Sequence, residues 1–417
     1  MSVMTGIRPE TPGPSSRVTV FIVSSEAEVR SLYGSTRENI GAFYIPRAGS
    51  SVAIVPRITT GTTVLDFSMI ALLHEYAHHF LMSITRFPAP RWYSEGSAEF
   101  FASASFEKDG SVGVGRPAHH RAGELFYGKD VPVAELLDPG KTSRRSSKDD
   151  NYYGRSWLLV HYLTFSAARQ GQLGRYLKLL VDGKSSGDAA REALGDFGRL
   201  EKDLDAYLSQ GQINYLRLPA SRLETGPIAV RALRAGEAAI MPVRIRSRRG
   251  VSTKQALALL PDARGIAARF PDDPAVLSAL AEAEHDAGND KEAISAADAA
   301  IALDPTQVNA YVQKGYSLFH MAATDADPVG AYTRARQPFL ELNRLENNHP
   351  LPLIYYYLSF LEQKAEPTPT AIAGLKRAAD LAPFDLGLRM MLARQQVLQR
   401  QFAEAGEEES SAPAPAR

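Results

Sequence analysis

Two short stretches carry residues that can do chemistry. The first is His74-Glu75-Tyr76-Ala77-His78. Two histidines four apart fall on one face of a helix. Two neutral imidazole nitrogens so placed can hold Zn2+ at roughly 2.0–2.1 Å. Glu75, between them, points close to the same metal and is placed to take a proton from a water there. In a chain of this composition the pattern arises by chance with odds on the order of one in a hundred. The second stretch is Trp92-Tyr93-Ser94-Glu95-Gly96-Ser97-Ala98-Glu99-Phe100, in which Glu95 and Glu99 are four apart and share a helix face. The chain has no cysteine. Thiolate ligands and disulfides are therefore excluded, and any metal must be held by His, Asp or Glu. A lone histidine on an apolar helix is usually a satisfied core residue. Two His and two Glu on facing helices are hard to bury without a metal. His79 points off that face and reads as structural.

Together these stretches resemble the gluzincins, the thermolysin-like superfamily of zinc peptidases, whose second helix carries a motif of the form W-x-x-E-G-x-A-E-[YF]. The resemblance implies that Glu95 is the third zinc ligand beside His74 and His78. It also implies that Glu99 is the acid that hydrogen-bonds a zinc-bound imidazole and fixes its tautomer. His78 and Glu95 are 17 residues apart, somewhat closer than in the best-known members. The nearest likeness is to bacterial peptidase-MA-like proteins, many of which end in tetratricopeptide (TPR) repeats; it spans Arg17 to about Gln210, plus the repeats. The expected activity is hydrolysis of a peptide bond with one Zn2+ per chain as cofactor. Zinc leaves a fourth position for water and lowers its pKa toward about 7. Glu75 takes the proton and delivers it to the leaving amine. Related families often stabilise the oxyanion with a Tyr or His from a later helix. Tyr153, in Tyr152-Tyr153-Gly154-Arg155-Ser156-Trp157, is the candidate, with Tyr152 in reserve; the plainer reading of Tyr153 is aromatic packing. His161 on the same helix reads as core, and His119-His120 as weaker candidates in a loop. The strand before the zinc helix (Ser51, Val52, Ala53, Ile54) is expected to pair with extended substrate, as in gluzincins.

Those residues need elements to hold them. Arg17–Ser24 alternates and is β-branched, so it reads as a strand; Glu26–Tyr33 reads as a short helix. Ala42–Pro46 and Ser51–Val55 read as a strand pair joined by the turn Arg47-Ala48-Gly49-Ser50. Asp66–Met82 has helical apolar spacing, with Asp66 or Ser68 as N-cap and Pro88 and Pro90 beyond its end. Tyr93–Phe106 is the second site helix. Lys141–Asp150 reads as an exposed loop. Further helices follow at Tyr153–Ala168, Leu173–Asp182, Gly187–Leu194 and Arg199–Ser209. The expected fold class is an α+β gluzincin-like metallopeptidase domain followed by an all-α TPR-like solenoid.

The second half supports that division. Pro274–Thr306 has small residues where two helices cross, Gly288 at the turn and Pro305 at the exit, as in one TPR repeat. Tyr311, Gly315 and Leu318 match in the next segment, and Tyr355, Ala371, Leu375 and Ala378 in a third. From Pro305 to Pro383 the chain exceeds two periods of about 34 residues by roughly ten, so one insertion is expected within Thr324–Pro350. The divisions are a flexible segment 1–16, a peptidase domain 17–215, a linker 216–250 carrying a candidate strand at Ile228–Leu233, TPR-like repeats 251–405 and a disordered tail 406–417.

Composition sets outer limits. The 417 residues are 44% hydrophobic and 23% charged, as in ordinary globular proteins. Lys+Arg and Asp+Glu both total 47, and a zero balance argues against nucleic acid as the main partner. No apolar run approaches about 18 residues, so no transmembrane helix is expected. The expected partners are a peptide or protein substrate and a protein bound by the repeats. The alternative is a catalytically inactive peptidase-like TPR scaffold that binds protein partners. Met1–Arg17 has no signal-peptide pattern. Val3–Ile7 nevertheless reads as the end of a helix capped by Gly6, and the resemblance implies an export signal upstream. A longer natural N-terminus, with a periplasmic or secreted location, is the expectation; without one, the cytoplasm is.

Overall fold

The computed structural model describes residues 13–34, 40–57, 65–85, 89–140, 150–210, 212–223 and 226–399. The expectations for Val3–Ile7, for residues 141–149 of the loop, for Pro88 and for the tail at Glu407–Arg417 lie outside those residues.

The first half opens with β1 (Thr19–Val23) and α1 (Glu26–Tyr33). Ser25 caps α1 by accepting from the Glu28 amide, and Gly34 ends it at φ 89°, a left-handed conformation glycine adopts without strain. β2 (Phe43–Ile45) and β3 (Val52–Pro56) complete a three-stranded sheet of order β1-β3-β2. β3 pairs in parallel with β1 (Thr19↔Val52) and antiparallel with β2 (Phe43↔Ile54). All five residues of β3 are buried, as a continuous apolar run in a central strand should be. This corrects the substrate-strand expectation. Val52, Ala53 and Ile54 already hydrogen-bond on both sides, and the Ser51 carbonyl accepts from Thr19 N–H at 2.9 Å. No edge is left there for a peptide; among the described residues, the antiparallel edge left open is that of β2.

α2 (Phe67–Ile84) carries the His-Glu-x-x-His stretch and is N-capped by Asp66, whose Oδ1 accepts from Met69 N–H at 2.9 Å. α3 (Arg91–Ala102) carries the second stretch. It starts two residues earlier than expected and ends four earlier, because Ser105–Phe106 forms β4 and pairs with β5 (Val112–Val114). The short helices α4 (Ala122–Tyr127) and α5 (Val133–Leu137) lead to α6 (Tyr152–Phe165). α6 is buried from Gly154 to Leu163 and packs along α3, with α2 on the other side of α3. The α3–α6 crossing is close because of Gly96: a Cβ there would stand 2.3 Å from the Ser156 carbonyl oxygen. α7 (Gln172–Val181), α8 (Ser186–Leu194) and α9 (Phe197–Leu208) close the core around Trp92, Trp157 and Tyr176. β6 (Leu216–Leu218) joins β5 in a second small sheet. Among the described residues helices dominate this half, and two sheets of three strands each accompany them.

The expected linker divides differently. Leu216–Leu218 belongs to the second sheet. Ile228–Leu233 is not a strand: Ile228 is 86% and Val230 92% exposed, and no strand among the described residues pairs with it. Ala235–Arg249 is a full helix, α10, started by Glu237, whose carboxylate accepts from Arg234 N–H at 2.9 Å. Pro242 within it disguises its helical character; it lies on the exposed side, away from the packing face.

From α10 the chain is a run of helices packed on their neighbours: α11 (Thr253–Arg269), α12 (Pro274–Asp286), α13 (Asp290–Leu303) and α14 (Val308–Ala322). Within Thr324–Pro350, where an insertion is expected, the chain forms two short helices, α15 (Pro328–Ala335) and α16 (Gln337–Leu345), parted at Arg336. α17 (Pro350–Glu362), α18 (Pro369–Leu381) and α19 (Leu386–Leu398) follow. Small residues sit at the crossings: Ala281, Ala297, Ala300 and Ala310 are fully buried. A Cβ on Gly315 would meet the Phe339 ring at 2.5 Å. This is a TPR-like helical repeat array.

Candidate metal centre

α2 presents His74 and His78 on one face, one turn apart, and α3 presents Glu95 against them. His74 Nε2 lies 3.0 Å from His78 Nε2, and Glu95 Oε2 lies 3.4 Å from each. Among the described residues, these three form the only group that brings His, Asp or Glu ligand atoms together so closely. The regular tetrahedron of a zinc ion with bonds of about 2.0–2.1 Å has edges of about 3.3–3.4 Å, so the three atoms match one face of it. The donor set of two imidazoles and one carboxylate is also that of zinc.

The outer nitrogens explain why the inner ones face each other. Glu99 accepts from His74 Nδ1 at 3.1 Å, which leaves the Nε2 lone pair pointing inward. His78 Nδ1 meets Ser94 Oγ at 3.2 Å. Burial disfavours a charge on His74, yet hydrogen bonds to Glu95 and Glu99 outweigh it and lift its pKa to about 10, so the inner nitrogen carries a proton that a bound zinc would displace. Burial acts on Glu95 too, but His74 and His78 hold its carboxyl well below the usual range. Imidazole nitrogens and a carboxylate that converge in a buried place call for a positive charge, a proton's or a metal ion's. The residues present fit a zinc ion.

Glu99 is 1% exposed and is the hub behind the site. Besides His74 it accepts from His120 Nε2 at 2.6 Å and from Arg121 Nη2 at 2.6 Å. Burial opposes its charge, but His120, His74 and Arg121 hold its carboxyl well below the normal value. Arg121 also binds Glu124 at 2.7 Å. Sequence spacing gave no sign of Arg121 and ranked His120 low. Both sit in a short turn more than 20 residues beyond Glu99, where no helical period connects them to it.

Glu75 follows His74 on the same turn. Burial raises its pKa, and the two histidines pull against that. Tyr153 stands at the start of α6 between two cations: the Arg121 guanidinium lies 4.9 Å from its ring centroid and that of Arg91 5.8 Å. Burial raises its pKa, with Arg91 and Arg121 opposing, so the hydroxyl keeps its proton at neutral pH. Tyr152 lies under Arg91 at 4.4 Å. His79 is buried, with its Nδ1 2.6 Å from Tyr44 Oη and its pKa pushed down by burial to about 4. His161 lies in the core between Tyr207 Oη at 3.0 Å and the Gly115 carbonyl at 2.7 Å. Both are placed as packing residues, off the centre.

A family model described as "Protein of unknown function (DUF1570)" matches residues 68–181, the span from the start of α2 to the end of α7. No curated protein matches the chain. Among solved structures, the chain is similar to TTC0263, a thermophilic TPR protein of Thermus thermophilus, at 18% identity; the match covers 43% of this chain and 90% of that one, with a TM-score of 0.37. It is also similar to MamA (41–end) from Desulfovibrio magneticus RS-1, at 18% identity over 42% of this chain and 92% of that one, with a TM-score of 0.33.

Proposed function

We propose that this chain is a zinc-dependent peptidase carried on a TPR-like scaffold that engages proteins. The observation that supports it is the convergence of His74 Nε2, His78 Nε2 and Glu95 Oε2 within 3.0–3.4 Å, with Glu75 on the same turn. His74, His78 and Glu95 would hold the ion, and Glu99 fixes the imidazole of His74. A bound zinc supplies electrophilic polarisation and an acidified water. Glu75 accepts the proton of the attacking water and passes it to the departing amine. Tyr153, held protonated, donates its O–H toward the oxyanion that develops on the peptide carbonyl. Extended substrate pairs with the open edge of β2, since β3 has none.

A second reading drops hydrolysis: a peptidase-like domain serving a TPR-like scaffold that binds protein partners. The extent of the array, from Ala235 to Leu398, favours it. The two are separated by metal content and by a chelator-sensitive peptidase assay on a diverse peptide library. The first requires about one zinc per chain and cleavage that is abolished in Glu75→Gln with zinc retained. Wild-type protein that holds zinc and cleaves nothing establishes the second.

A further inference from the structure

Three consecutive residues of the β2–β3 turn touch opposite ends of the helical array. Arg47 donates through Nη1 to the Arg248 carbonyl at 3.1 Å and through Nη2 to that of Arg249 at 3.2 Å. Its guanidinium thus satisfies the last carbonyls of α10, the first helix of the array. Ala48 donates its amide to Asp385 Oδ2 at 2.8 Å, immediately before α19, the last helix. Gly49, at φ 81°, lies so close to the start of α17 that a Cβ would stand 2.7 Å from His349 Cε1 and 3.1 Å from Leu351. Successive Cα atoms are only about 3.8 Å apart. The first and last helices therefore approach within a few residues' length of each other around this turn.

The same side of the array takes further contacts from the first half. His79 of α2 faces the Phe384 ring at 4.9 Å. Met82 packs into the apolar cluster that Tyr357 and Leu388 share, and Met241 and Ile245 of α10 pack on the β1–β3 sheet. α12 stacks on both α10 and α14 as well as on its sequence neighbours, which makes these alternate helices one layer. α17 continues the layer, its Tyr355 ring 5.0 Å from that of Tyr316 on α14, and so does α19, whose Gln395 Oε1 accepts from Tyr357 O–H at 2.7 Å; the contacts to the first half from α10, α17 and the start of α19 come from that layer.

We propose that this inner layer has the chain's own metal-bearing half as its partner, with the turn Arg47–Ser50 as the pin that holds the array closed. The turn and α2 occupy the side of the layer between its two ends, through Arg47, Ala48, Gly49, His79 and Met82. A protein that engages the array docks on its outer helices or displaces the pin. Displacement would reach the metal centre through two side chains. Phe384 touches His79; His79 adjoins His78 in sequence and pairs with Tyr44 of β2.

The inference stands apart from hydrolysis, and its test uses neither metal nor substrate. Full-length Arg47→Ala/Asp385→Ala is compared with wild type by peptide-resolved hydrogen exchange, with small-angle scattering for size and circular dichroism for helix content. Asp385 also caps α19 through Leu388 N–H at 2.9 Å, so the decisive segment is 43–50 in the other half. Exchange there should speed about tenfold or more, the scale of one lost charge-assisted hydrogen bond. The particle should expand with helix content kept, while Asp385→Asn, which retains an acceptor, stays near wild type. Wild-type exchange in 43–50 and an unchanged radius overturn the proposal. If the double variant does not fold, Gly49→Ala applies the same test by driving a Cβ into His349; wild-type exchange in that variant overturns it equally.

Discussion

Replacing Glu99 by Gln keeps the shape of the side chain and removes its charge. The wild-type carboxylate is 1% exposed and serves three donors: His74 Nδ1 at 3.1 Å, His120 Nε2 at 2.6 Å and Arg121 Nη2 at 2.6 Å. An amide has one oxygen, so its NH2 must confront at least one of those donors. His74 then loses the partner that turns its Nε2 lone pair inward. Losing such a partner weakens metal binding by about 10–100-fold, or about 1.4–2.7 kcal/mol. Folding stability falls as well. Breaking a buried ion pair costs about 3–5 kcal/mol. Arg121 is 25% exposed on its side chain and keeps Glu124 at 2.7 Å, so about 1–3 kcal/mol is expected after that discount. Zinc affinity is read by competition with a chromophoric chelator, and stability by thermal unfolding with and without zinc. Glu124→Gln, the same charge change one contact further out, should keep wild-type zinc affinity. A Glu99→Gln protein that binds zinc as tightly as wild type refutes the claim that Glu99 orients His74.

Three more outcomes can be checked. His78→Ala should lose most of the bound zinc in elemental analysis, because it removes one of three converging donors; undiminished zinc would place the ion elsewhere. Gly96→Ala forces a Cβ to 2.3 Å from the Ser156 carbonyl oxygen, and overpacking of this kind costs about 1–3 kcal/mol in urea unfolding; unchanged stability would mean that α3 and α6 do not cross there. The Asp286 carboxyl is lifted to about 6 by burial and by Glu282, with Ser247, Arg248 and Arg47 opposing. Above pH 6 it is ionised in both states, and its charge costs folding stability. The cost fades as pH falls from about 6 toward the unfolded value near 3.9. Asp286→Asn should therefore gain about 1–2 kcal/mol at pH 7, after discounting for solvent, and nothing near pH 3.5. An equal gain at both pH values would assign the effect to packing instead.

The part of the site that follows helical period was legible from residue order. Histidines at i and i+4 must share a face, and Asp66 marks where their helix begins, so His74 and His78 meet without help from the rest of the chain. The repeat array was legible for the same kind of reason. Small residues recur where paired helices cross, and the excess length between Pro305 and Pro383 falls where the chain forms the two short helices α15 and α16. α10 was missed because Pro242 and a run of arginines mask an amphipathic face that only packing reveals.

What residue order determined by itself is the local geometry: which side chains share a helix face, where helices start, and which halves of the chain repeat. What only the tertiary structure decided is everything that depends on which elements become neighbours. The strand before the His-Glu-x-x-His helix became the centre of its sheet rather than an edge, because β1 pairs along one side of it and β2 along the other. Glu99 acquired His120 and Arg121 from a turn with no periodic tie to it. The turn Arg47–Ser50 became the meeting point of the first and last helices of the array. Periodicity is written within a few residues of each position. Strand order, loop contacts and the closure of a helical array are chosen by burial and hydrogen-bond satisfaction summed over the whole chain.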